Sequence, residues 1–394
     1  MKKTIKDYDI KGKKVIIRCD FNVPIEDGII KDDNRIRQSL KTIRYARKEG
    51  AKVILLSHLG RIKTEEEKEK YTLIPVAKAL SKLLRKKVKF INQTRGKEVE
   101  EAIKNMKEKD VILLENTRFE DLDKQKESKN DKRLGKYWAS LGDIYINDAF
   151  GTIHRSHASN LGISKHLKSG VGFLVEKEIK ELEKLTKNPK HPYTIILGGS
   201  KVSDKINLIK NLAKTADYIL IGGGMAFTFL SAAGFNIGSS LCEKEEIPFC
   251  KELLDKYQDK IILPIDIITA KEIKNGVKTK ERFVNEIEED EIGLDIGKKT
   301  LEVFKQYIDD SKTIFWNGPM GYFEIKDFSK GTKGLCKIMS TAKAYKIIGG
   351  GDTARAVIEM GFAKDVNHIS TGGGASLTFL EGVKLKALDI INEK

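Results

Sequence analysis

Four short apolar runs in the first half of the chain are each followed by a segment that contains arginine. These segments are RCDFN (18–22), SHLGR (57–61), ENTRF (115–119) and NDAFGTIHR (147–155). The planar guanidinium group of arginine binds a phosphate or a carboxylate through two parallel hydrogen bonds. Several like charges gathered at one edge of a sheet repel one another unless an anion lies among them. The first half therefore predicts a binding site for a small polyanion.

The corresponding positions in the second half are rich in glycine. Glycine-containing turns at 198–201, 222–225 and 349–353 directly follow apolar runs, and a further triplet, at 372–374, follows Ser370-Thr371. Glycine lets backbone N–H groups approach a ligand closely, and a helix that begins behind the turn adds partial positive charge. Four such turns in one half of the chain indicate the phosphate-binding loops of a nucleotide site.

Three charged residues beside these turns fit the same interpretation. Lys201 and Lys205 are four residues apart at the predicted start of a helix, so both are expected to face the same phosphates. Asp352 follows the third glycine turn. Because Mg²⁺ prefers one or two carboxylates together with phosphate oxygens, Asp352 is a predicted Mg²⁺ ligand.

Other cofactor-binding motifs fit less well. The chain has no G-x-x-x-x-G-K-[ST] sequence, and the nearest segment, 293–299, has the wrong spacing, which argues against a P-loop NTPase. Residues 349–354 match the loose dinucleotide fingerprint, but the next strand end carries no acid for a ribose hydroxyl. A dehydrogenase remains an alternative. A metal site at His154 and His157 would need a third ligand, which the neighbouring sequence does not supply.

Alternating strands and helices must position these segments. The predicted strands are continuous apolar runs at 15–17, 53–56, 111–114, 144–146, 193–197, 218–221, 261–263, 313–315 and 345–348. Runs without polar alternation are typical of strands that helices cover on both faces. The predicted fold class is therefore α/β, with doubly wound parallel sheets that bind ligands beyond the carboxyl ends of their strands.

Length and composition predict two soluble domains. The chain has 394 residues, of which 40% are hydrophobic, and a common single domain has about 150. The charged, helical segment 175–189 separates the half with polar turns from the half with glycine turns, so we expect it to connect the domains. No apolar run approaches the roughly 18 residues that cross a bilayer, and no secretory signal is evident.

The cysteines and the net charge bear on compartment and partners. Cys19, Cys242, Cys250 and Cys336 are scattered, which argues against a disulfide framework or a zinc site and favours a cytoplasmic protein. The net charge of +16 would attract nucleic acid, acidic membranes or phosphorylated small molecules. A nucleic-acid binder is therefore a second alternative, although the basic segment 82–89 contains no aromatic residue on which a base could stack.

Eleven segments, in order along essentially the whole chain, resemble the motifs of the phosphoglycerate kinase family. They are RCDFNVP (18–24), DDNRI (32–36), SHLGR (57–61), ENTRF (115–119), NDAFGTIHRSHAS (147–159), GGSKVSDKI (198–206), GGGMAFTFL (222–230), LDIGKKT (294–300), WNGPMGYFE (316–324), GGGDTA (349–354) and STGGGAS (370–376). The resemblance implies a glycolytic kinase that transfers a phosphoryl group reversibly between MgATP and 3-phosphoglycerate, giving ADP and 1,3-bisphosphoglycerate.

The resemblance also implies which residues bind each substrate. The residues expected to bind the triose acid are Asp20, Phe21, Asn22, Arg35, His58, Leu59, Gly60, Arg61, Arg118 and Arg155. The residues expected to bind the nucleotide are Gly199, Ser200, Lys201, Lys205, Gly223, Gly293, Asn317, Pro319, Glu324, Gly350, Gly351, Asp352 and Thr353. Glu324 would bind the ribose hydroxyls, and Asp352 would bind Mg²⁺, which is the one expected cofactor.

Elementary chemistry agrees with this reaction. A carboxylate acceptor has a pKa near about 4, so it is already ionised and needs no general base. Catalysis can then rest on alignment and on neutralisation of charge. The groups expected to offset the charge on the transferring phosphoryl group are Arg35, Lys201, Lys205 and the N–H groups of Gly351 and Gly374.

The family's architecture implies two Rossmann-like lobes with a cleft between them. Residues 1–174 and 380–394 would form the 3-phosphoglycerate-binding domain, residues 190–379 the nucleotide-binding domain, and residues 175–189 the connecting helix. With one substrate on each lobe, hinge bending would close the lobes and expel water. We expect a monomer that binds these small molecules and neither nucleic acid nor a membrane.

Overall fold

The computed structural model describes residues 1–394, which form two compact units. Unit 1 comprises Met1–Lys180 and Lys384–Lys394, and unit 2 comprises Glu181–Val383. Each unit contains its own six-stranded sheet and its own hydrophobic cores. None of the helices combines the length and the apolar character that a transmembrane span requires.

A six-stranded parallel sheet forms the centre of unit 1. The strands of this unit are β1 (Lys14–Cys19), β2 (Ile25–Glu26), β3 (Ile29–Ile30), β4 (Lys52–Leu56), β5 (Lys89–Ile91), β6 (Val111–Leu114), β7 (Ile144–Asp148) and β8 (Lys168–Val171). The central sheet has the order β5-β6-β4-β1-β7-β8, and β2 and β3 form a separate antiparallel hairpin. Because neighbouring strands of the sheet are parallel, their carboxyl ends share one edge.

Helices cover both faces of this sheet. They are α1 (Asn34–Lys48), α2 (Glu67–Lys70), α3 (Ile74–Leu84), α4 (Lys97–Lys104), α5 (Lys132–Ser140) and α6 (Phe173–Thr186), with short 3₁₀ helices at Ile5–Asp7, Thr117–Leu122 and Phe150–Thr152 and a π-helical turn at Ala158–Gly162. Val15 and Ile17 of β1 pack into the core beneath α1 and α3, whereas Ile16 packs into the core beneath α4 and α5. Successive side chains of one strand thus pack on opposite faces of the sheet.

The C-terminal segment belongs to unit 1. It forms a short helix at Lys386–Asp389 and then runs beside the N-terminus, where the N–H of Lys3 donates to the carbonyl of Asn392 at 2.8 Å. The N–H of Ser169 donates to the side chain of Asn392, also at 2.8 Å. These hydrogen bonds fix the last residues of the chain to β8 and to the N-terminal segment.

Unit 2 is built around a second parallel sheet. Its strands are β9 (Tyr193–Leu197), β10 (Tyr218–Ile221), β11 (Ile261–Ile262), β12 (Asp266–Ala270), β13 (Lys280–Phe283), β14 (Ile292–Ile296), β15 (Thr313–Asn317), β16 (Tyr345–Gly349) and β17 (His368–Ile369). The parallel sheet has the order β11-β10-β9-β15-β16-β17, and β13-β12-β14 form an antiparallel sheet. The helices are α7 (Ile206–Leu212), α8 (Met225–Ala232), α9 (Ile247–Lys256), α10 (Lys298–Asp310), α11 (Lys330–Thr341), α12 (Gly351–Glu359) and α13 (Gly374–Leu380).

All nine predicted apolar runs are strands of the two parallel sheets. Three short edge strands, the β2-β3 hairpin and the antiparallel sheet were not predicted from the sequence. Strand β13 has the sequence KERF, so it offers no apolar run from which a strand could be predicted. The connecting helix α6 begins at Phe173 and ends at Thr186, against predicted limits of 175 and 189. Its early end is explained by Pro189, because a proline and the residue before it disfavour helix.

The net charge is divided unevenly between the units. Unit 1 contains 45 of the 73 lysines and arginines and 29 of the 57 aspartates and glutamates, whereas unit 2 contains 28 of each kind. The whole excess of +16 therefore lies on unit 1, and unit 2 is neutral. A field of this sign raises the local concentration of anions around unit 1.

Candidate active site

A cavity of about 640 Å³ in unit 1 brings together three of the predicted arginines. Arg61 follows β4, Arg118 lies in the 3₁₀ helix that follows β6, and Arg155 follows β7. The other lining residues are Ile62, Lys63, Asp121, Leu122, Gln125, Ser128 and His157. The three arginines are far apart in sequence and meet because the carboxyl ends of parallel strands share one edge of the sheet.

The arginines create a strongly positive field around this cavity. Burial, followed by the charges of Arg118 and Arg61, lowers the pKa of Arg155. Burial and the surrounding guanidinium groups also lower the pKa of His58 well below its ordinary value. Burial and then the charge of Arg118 lower the pKa of His157 to about 2. Both histidines are therefore neutral near pH 7, and a bound anion would relieve the repulsion among the cations.

Arg35 is held at the same edge of the sheet by an ion pair. Its Nη1 lies 2.9 Å from Oδ2 of Asp20, which follows β1. The other carboxylate oxygen of Asp20 lies 3.9 Å from Nδ1 of His58, which follows the neighbouring strand β4. The side chain of Arg35 is 39% exposed, so its charge is accessible to a ligand while Asp20 fixes its position.

Some of the residues predicted to bind the substrate could do so only through their backbone atoms. The side chains of Phe21 and Leu59 are buried in the core, so only their backbone atoms can reach a ligand. The N–H of Leu59 donates to Oδ1 of Asn116 at 3.1 Å, and the N–H of Gly60 donates to Oδ1 of Asn22 at 2.8 Å. These side-chain amides tie the loop after β4 to the loops after β6 and β1.

Arg118 is oriented by an acidic partner that the sequence analysis did not identify. Its Nη1 lies 2.7 Å from Oδ2 of Asp121, and it also donates to Oγ of Ser128. The N–H and hydroxyl of Ser128 both donate to Asp121, at 2.8 and 2.5 Å. Nε of Arg118 is buried without a hydrogen-bond partner, and a donor in that condition is suited to an incoming ligand oxygen.

Arg18 differs from the other arginines that follow the strands, because it is fully buried. Its Nε donates to Oγ of Ser159 at 2.8 Å, another nitrogen donates to the carbonyl of Cys19, and Nη2 lies 3.3 Å from Nδ1 of His58. Ser159 in turn donates to the buried carboxylate of Glu127, through Oγ at 2.5 Å and through its N–H at 2.9 Å. Arg18 therefore does not line the cavity as the other three arginines do, although burial and then the charge of Arg18 lower the pKa of His58.

A second cavity, of about 550 Å³, lies in unit 2. The predicted nucleotide-binding residues that line it are Gly199, Ser200, Gly223, Gly293, Pro319, Glu324 and Asp352. The rest of the lining is mostly apolar and includes Leu241, Ile273, Ile292, Leu294, Tyr322 and Phe323. Exposed backbone N–H groups suit phosphates, and an apolar wall suits the flat face of a base, so the cavity has the character of a nucleotide site.

The glycine turns of this cavity are required by the backbone. Gly199 and Gly223 have φ angles of +87° and +65°, a region that side chains disfavour. A Cβ atom on Gly223 would also lie 2.8 Å from the carbonyl oxygen of Pro319. The turns after β9, β10 and β15 thus approach one another too closely for any larger residue.

The prediction that Lys201 and Lys205 share the first turn of a helix is wrong. Helix α7 begins only at Ile206, a 3₁₀ turn occupies Ser203–Lys205, and Lys201 lies before that turn. Lys201 is exposed. Lys205 is more buried, and its Nζ would lie 3.4 Å from a Cβ on Gly199. Burial lowers the pKa of Lys205, against the attraction of nearby carboxylates that include Asp352.

The segment just before α7 is held by the carboxylate of Glu243. This carboxylate accepts hydrogen bonds from the N–H of Val202 at 2.6 Å, from the N–H of Ser203 at 3.1 Å and from Oγ of Ser203 at 2.5 Å. Although partial burial acts to raise the pKa of Glu243, these hydrogen bonds hold it below its ordinary value. Glu243 follows α8 and is 40 residues or more from its partners, so no local sequence pattern could identify it.

Asn317 and Thr353 hold the glycine turns in place. Nδ2 of Asn317 donates to the carbonyl of Gly349 at 2.9 Å, and Oγ1 of Thr353 accepts from the N–H of Gly318 at 2.6 Å. Both residues are buried, and neither lines the cavity. They fix the ends of β15 and β16 relative to each other, and their direct contact with a nucleotide stays a prediction.

Two further glycines begin helices. Gly351 is the first residue of α12, after Gly350 with a φ of +87°, and Gly374 is the first residue of α13. N–H groups in the first turn of a helix have no acceptor within the helix, so these groups remain available as donors. Asp352, the second residue of α12, has a side chain that is 77% exposed. One accessible carboxylate at the edge of this cavity fits Mg²⁺, which prefers one or two carboxylates together with phosphate oxygens and water.

Comparisons with known proteins identify relatives over the whole chain. The family model described as phosphoglycerate kinase matches residues 5–383. Phosphoglycerate kinases of Staphylococcus haemolyticus (strain JCSC1435) and Staphylococcus aureus (strain bovine RF122 / ET3-1) are each 55% identical over 394 residues, covering 100% of both chains. The structure of phosphoglycerate kinase from Coxiella burnetii is 37% identical with a TM-score of 0.90, over 99% of this chain and 98% of that one. The crystal structure of the Pyrococcus horikoshii OT3 enzyme is 31% identical with a TM-score of 0.84, again over 99% and 98%.

Proposed function

Because the chain belongs to the phosphoglycerate kinase family, we propose that its two cavities bind the two substrates of that reaction. The protein is a glycolytic phosphotransferase that moves a phosphoryl group reversibly between ATP and the carboxylate of 3-phosphoglycerate, giving ADP and 1,3-bisphosphoglycerate. Membership of the family displaces the two alternatives raised by the sequence, a dehydrogenase and a non-catalytic nucleic-acid binder.

We assign the triose acid to the cavity of unit 1. The observation that supports this assignment is that Arg61, Arg118 and Arg155, from three different strand ends, line one cavity. The unpartnered Nε of Arg118 offers an additional donor for an anionic oxygen. 3-Phosphoglycerate carries a phosphate and a carboxylate at opposite ends of a short chain, so bidentate arginine contacts suit it. The excess positive charge of unit 1 also favours the encounter with this substrate.

We assign the nucleotide to the cavity of unit 2. The backbone N–H groups at Gly199 and Gly223, together with the ammonium group of Lys205, suit the phosphates. The apolar wall that includes Leu241 suits the base, and Glu324 suits the ribose hydroxyls because a carboxylate accepts hydrogen bonds. Bound Mg²⁺ would be held by Asp352 and would offset the charge of the phosphates, as it does in phosphoryl transfer generally.

In the proposed mechanism, an oxygen of the substrate carboxylate attacks the γ-phosphorus of ATP. A bond forms between these two atoms while the bond from the γ-phosphorus to the β–γ bridging oxygen breaks, and ADP leaves with that oxygen. Arg35, held by Asp20, offsets charge on the attacking side. Lys201, Lys205 and the N–H groups of Gly351 and Gly374 offset charge on the transferring group. The neutral histidines take no proton, in keeping with an acceptor that is already ionised.

The two substrates must meet for in-line transfer, and water must be excluded because an acyl phosphate is readily hydrolysed. We therefore also propose that unit 1 is the acid-binding domain, that unit 2 is the nucleotide-binding domain and that ligands drive hinge bending about α6. We further propose that the enzyme is a cytoplasmic monomer. All four cysteines are free, in keeping with a reducing compartment.

A coupled assay tests the reaction. With 3-phosphoglycerate, ATP and Mg²⁺, we expect ADP to form only when the acid is present, and the rate to fall when Mg²⁺ is removed with a chelator. Folded protein that forms no ADP under these conditions would contradict the proposal. The variant Arg118→Ala is expected to raise the KM for 3-phosphoglycerate at least tenfold with little change in the KM for ATP, which tests the assignment of the two cavities.

A further inference from the structure

Arg355 lies on the second turn of α12, beside the cavity of unit 2, and contacts residues that line this cavity. Its Nη2 donates to Oε1 of Glu324, and lies 3.9 Å from Oδ1 of Asp352. Its guanidinium carbon lies 4.9 Å from the centre of the Phe323 ring. One cation thus contacts or approaches three residues of the cavity wall without lining the cavity itself.

We propose that Arg355 is a positioning residue for recognition of the ribose. Arg355 binds Oε1 of Glu324 and thereby leaves Oε2 oriented to accept a hydrogen bond from the ribose hydroxyls. This inference rests on the proposed nucleotide site, in which Glu324 is the ribose ligand. It extends that proposal by naming the group that fixes the orientation of Glu324.

The geometry favours this role because Glu324 has few other constraints. Its side chain is 47% exposed, and a glutamate at such a position samples several rotamers unless a partner holds it. Arg355 supplies that partner on a helix, which is a rigid element. The guanidinium group also lies over the ring of Phe323, and this cation–π contact further restricts its position.

The distances also indicate that Arg355 acts on Glu324 and not on Asp352. Arg355 is hydrogen-bonded to Glu324, whereas its separation of 3.9 Å from Asp352 is longer than a hydrogen bond. The pair with Glu324 is exposed on both sides, and ion pairs of this kind contribute little to folding stability. Removal of Arg355 should therefore change nucleotide recognition and leave the fold intact.

The test compares ATP with 2′-deoxyATP as phosphoryl donors at saturating 3-phosphoglycerate and Mg²⁺. The variants are Arg355→Ala, Arg355→Lys, Glu324→Ala, the double variant, and Lys333→Ala as a control that removes an exposed charge from α11. We expect Arg355→Ala to lower kcat/KM for ATP about fivefold to tenfold, in line with a weakened charge-assisted hydrogen bond, and to lower it less for 2′-deoxyATP. Arg355→Lys should restore part of the preference for ATP, and Lys333→Ala should match the unaltered protein.

The double variant identifies the residue through which Arg355 acts. If Arg355 works through Glu324, the double variant should behave like Glu324→Ala alone, because the two effects are not additive. Additive effects of the two substitutions would overturn the inference. So would a result in which Glu324→Ala lowers the ratio of kcat/KM for ATP to kcat/KM for 2′-deoxyATP but Arg355→Ala leaves it unchanged. Either result would leave the ribose role of Glu324 standing. If Glu324→Ala leaves this ratio unchanged, both the inference about Arg355 and the ribose role of Glu324 are overturned. If Arg355→Ala does not fold, the lysine variant carries the same comparison.

Discussion

Substitution of Glu243 by alanine should show that a carboxylate outside the nucleotide cavity controls the position of Lys201. The substitution removes the acceptor of three hydrogen bonds from Val202 and Ser203, the two residues that follow Lys201. Without these bonds the turn before α7 loses its anchor to the segment that follows α8. We expect Lys201 to shift while the glycine turns of the cavity remain in place.

The expected magnitude can be worked out bond by bond. Val202 is fully buried, so its N–H would be left unsatisfied, at a cost of about 1–3 kcal/mol. Ser203 is exposed, so water would replace the carboxylate there at a cost of about 0.5–1 kcal/mol. The free energy of unfolding should therefore fall by about 1.5–4 kcal/mol. A displacement of Lys201 by about 1 Å would lower kcat by roughly 10- to 100-fold.

Urea unfolding and steady-state kinetics measure the two effects. Glu243→Gln keeps one acceptor oxygen and should lie between the alanine variant and the unaltered protein. Ser203→Ala removes only the hydroxyl bond and should cost less than about 1 kcal/mol, with kcat within about threefold. If Glu243→Ala keeps both the stability and the kcat of the unaltered protein, the carboxylate does not hold the turn.

Three further predictions concern charge. Arg35→Ala and Lys201→Ala should each lower kcat at least about 100-fold while the Kd for ADP, measured by calorimetry, stays within about threefold; a kcat equal to that of the unaltered protein would contradict the assigned role. Because the excess charge lies on unit 1, raising the salt concentration should increase the KM for 3-phosphoglycerate more than the KM for ATP, and equal increases would exclude a role for this charge in binding the acid. The low pKa of His157, about 2 in the folded protein against about 6.5 unfolded, means that its stabilising effect is complete above pH 6.5 and is lost as the pH falls. Between pH 6.5 and 5, the free energy of unfolding of the unaltered protein should therefore fall by up to about 1.4 kcal/mol per pH unit more than that of His157→Gln. Equal decreases for the two proteins in urea unfolding would contradict this.

The parallel sheets were predictable because their strands are continuous apolar runs. Such an apolar run is absent from β13, whose sequence KERF is mostly charged. This strand exists because β12 offers it a partner, with Asp266 opposite Phe283 and Thr269 opposite Lys280. Pairing between segments of this kind depends on tertiary contacts that a single sequence does not reveal.

The site was predictable where the type of residue itself determines the geometry. Glycines at positive φ and arginines at strand ends fall into this class. Gly223 and Arg155 were predicted on that basis, and each lines a cavity. Residues that act through long-range hydrogen bonds were missed. Ser159 is 141 residues from Arg18, so the burial of Arg18 and its contact with His58 have no local pattern.

A motif also does not show whether a residue would contact a ligand through its backbone or through its side chain. Phe21 and Leu59 stand within motifs that resemble the family, yet their side chains belong to the core of unit 1. The contact between Glu243 and the segment before α7 was also missed, because Glu243 is 40 residues or more from Val202 and Ser203.

A crystal structure of the full chain with 3-phosphoglycerate and ADP would show where each ligand binds. We predict that the acid lies within hydrogen-bond distance of Arg61, Arg118 and Arg155 in unit 1. We predict that the phosphates of ADP lie against the backbone of Gly199 and beside Lys205 in unit 2. Density for the acid away from those three arginines, or for the nucleotide outside the glycine-lined cavity, would contradict the assignment of one substrate to each unit.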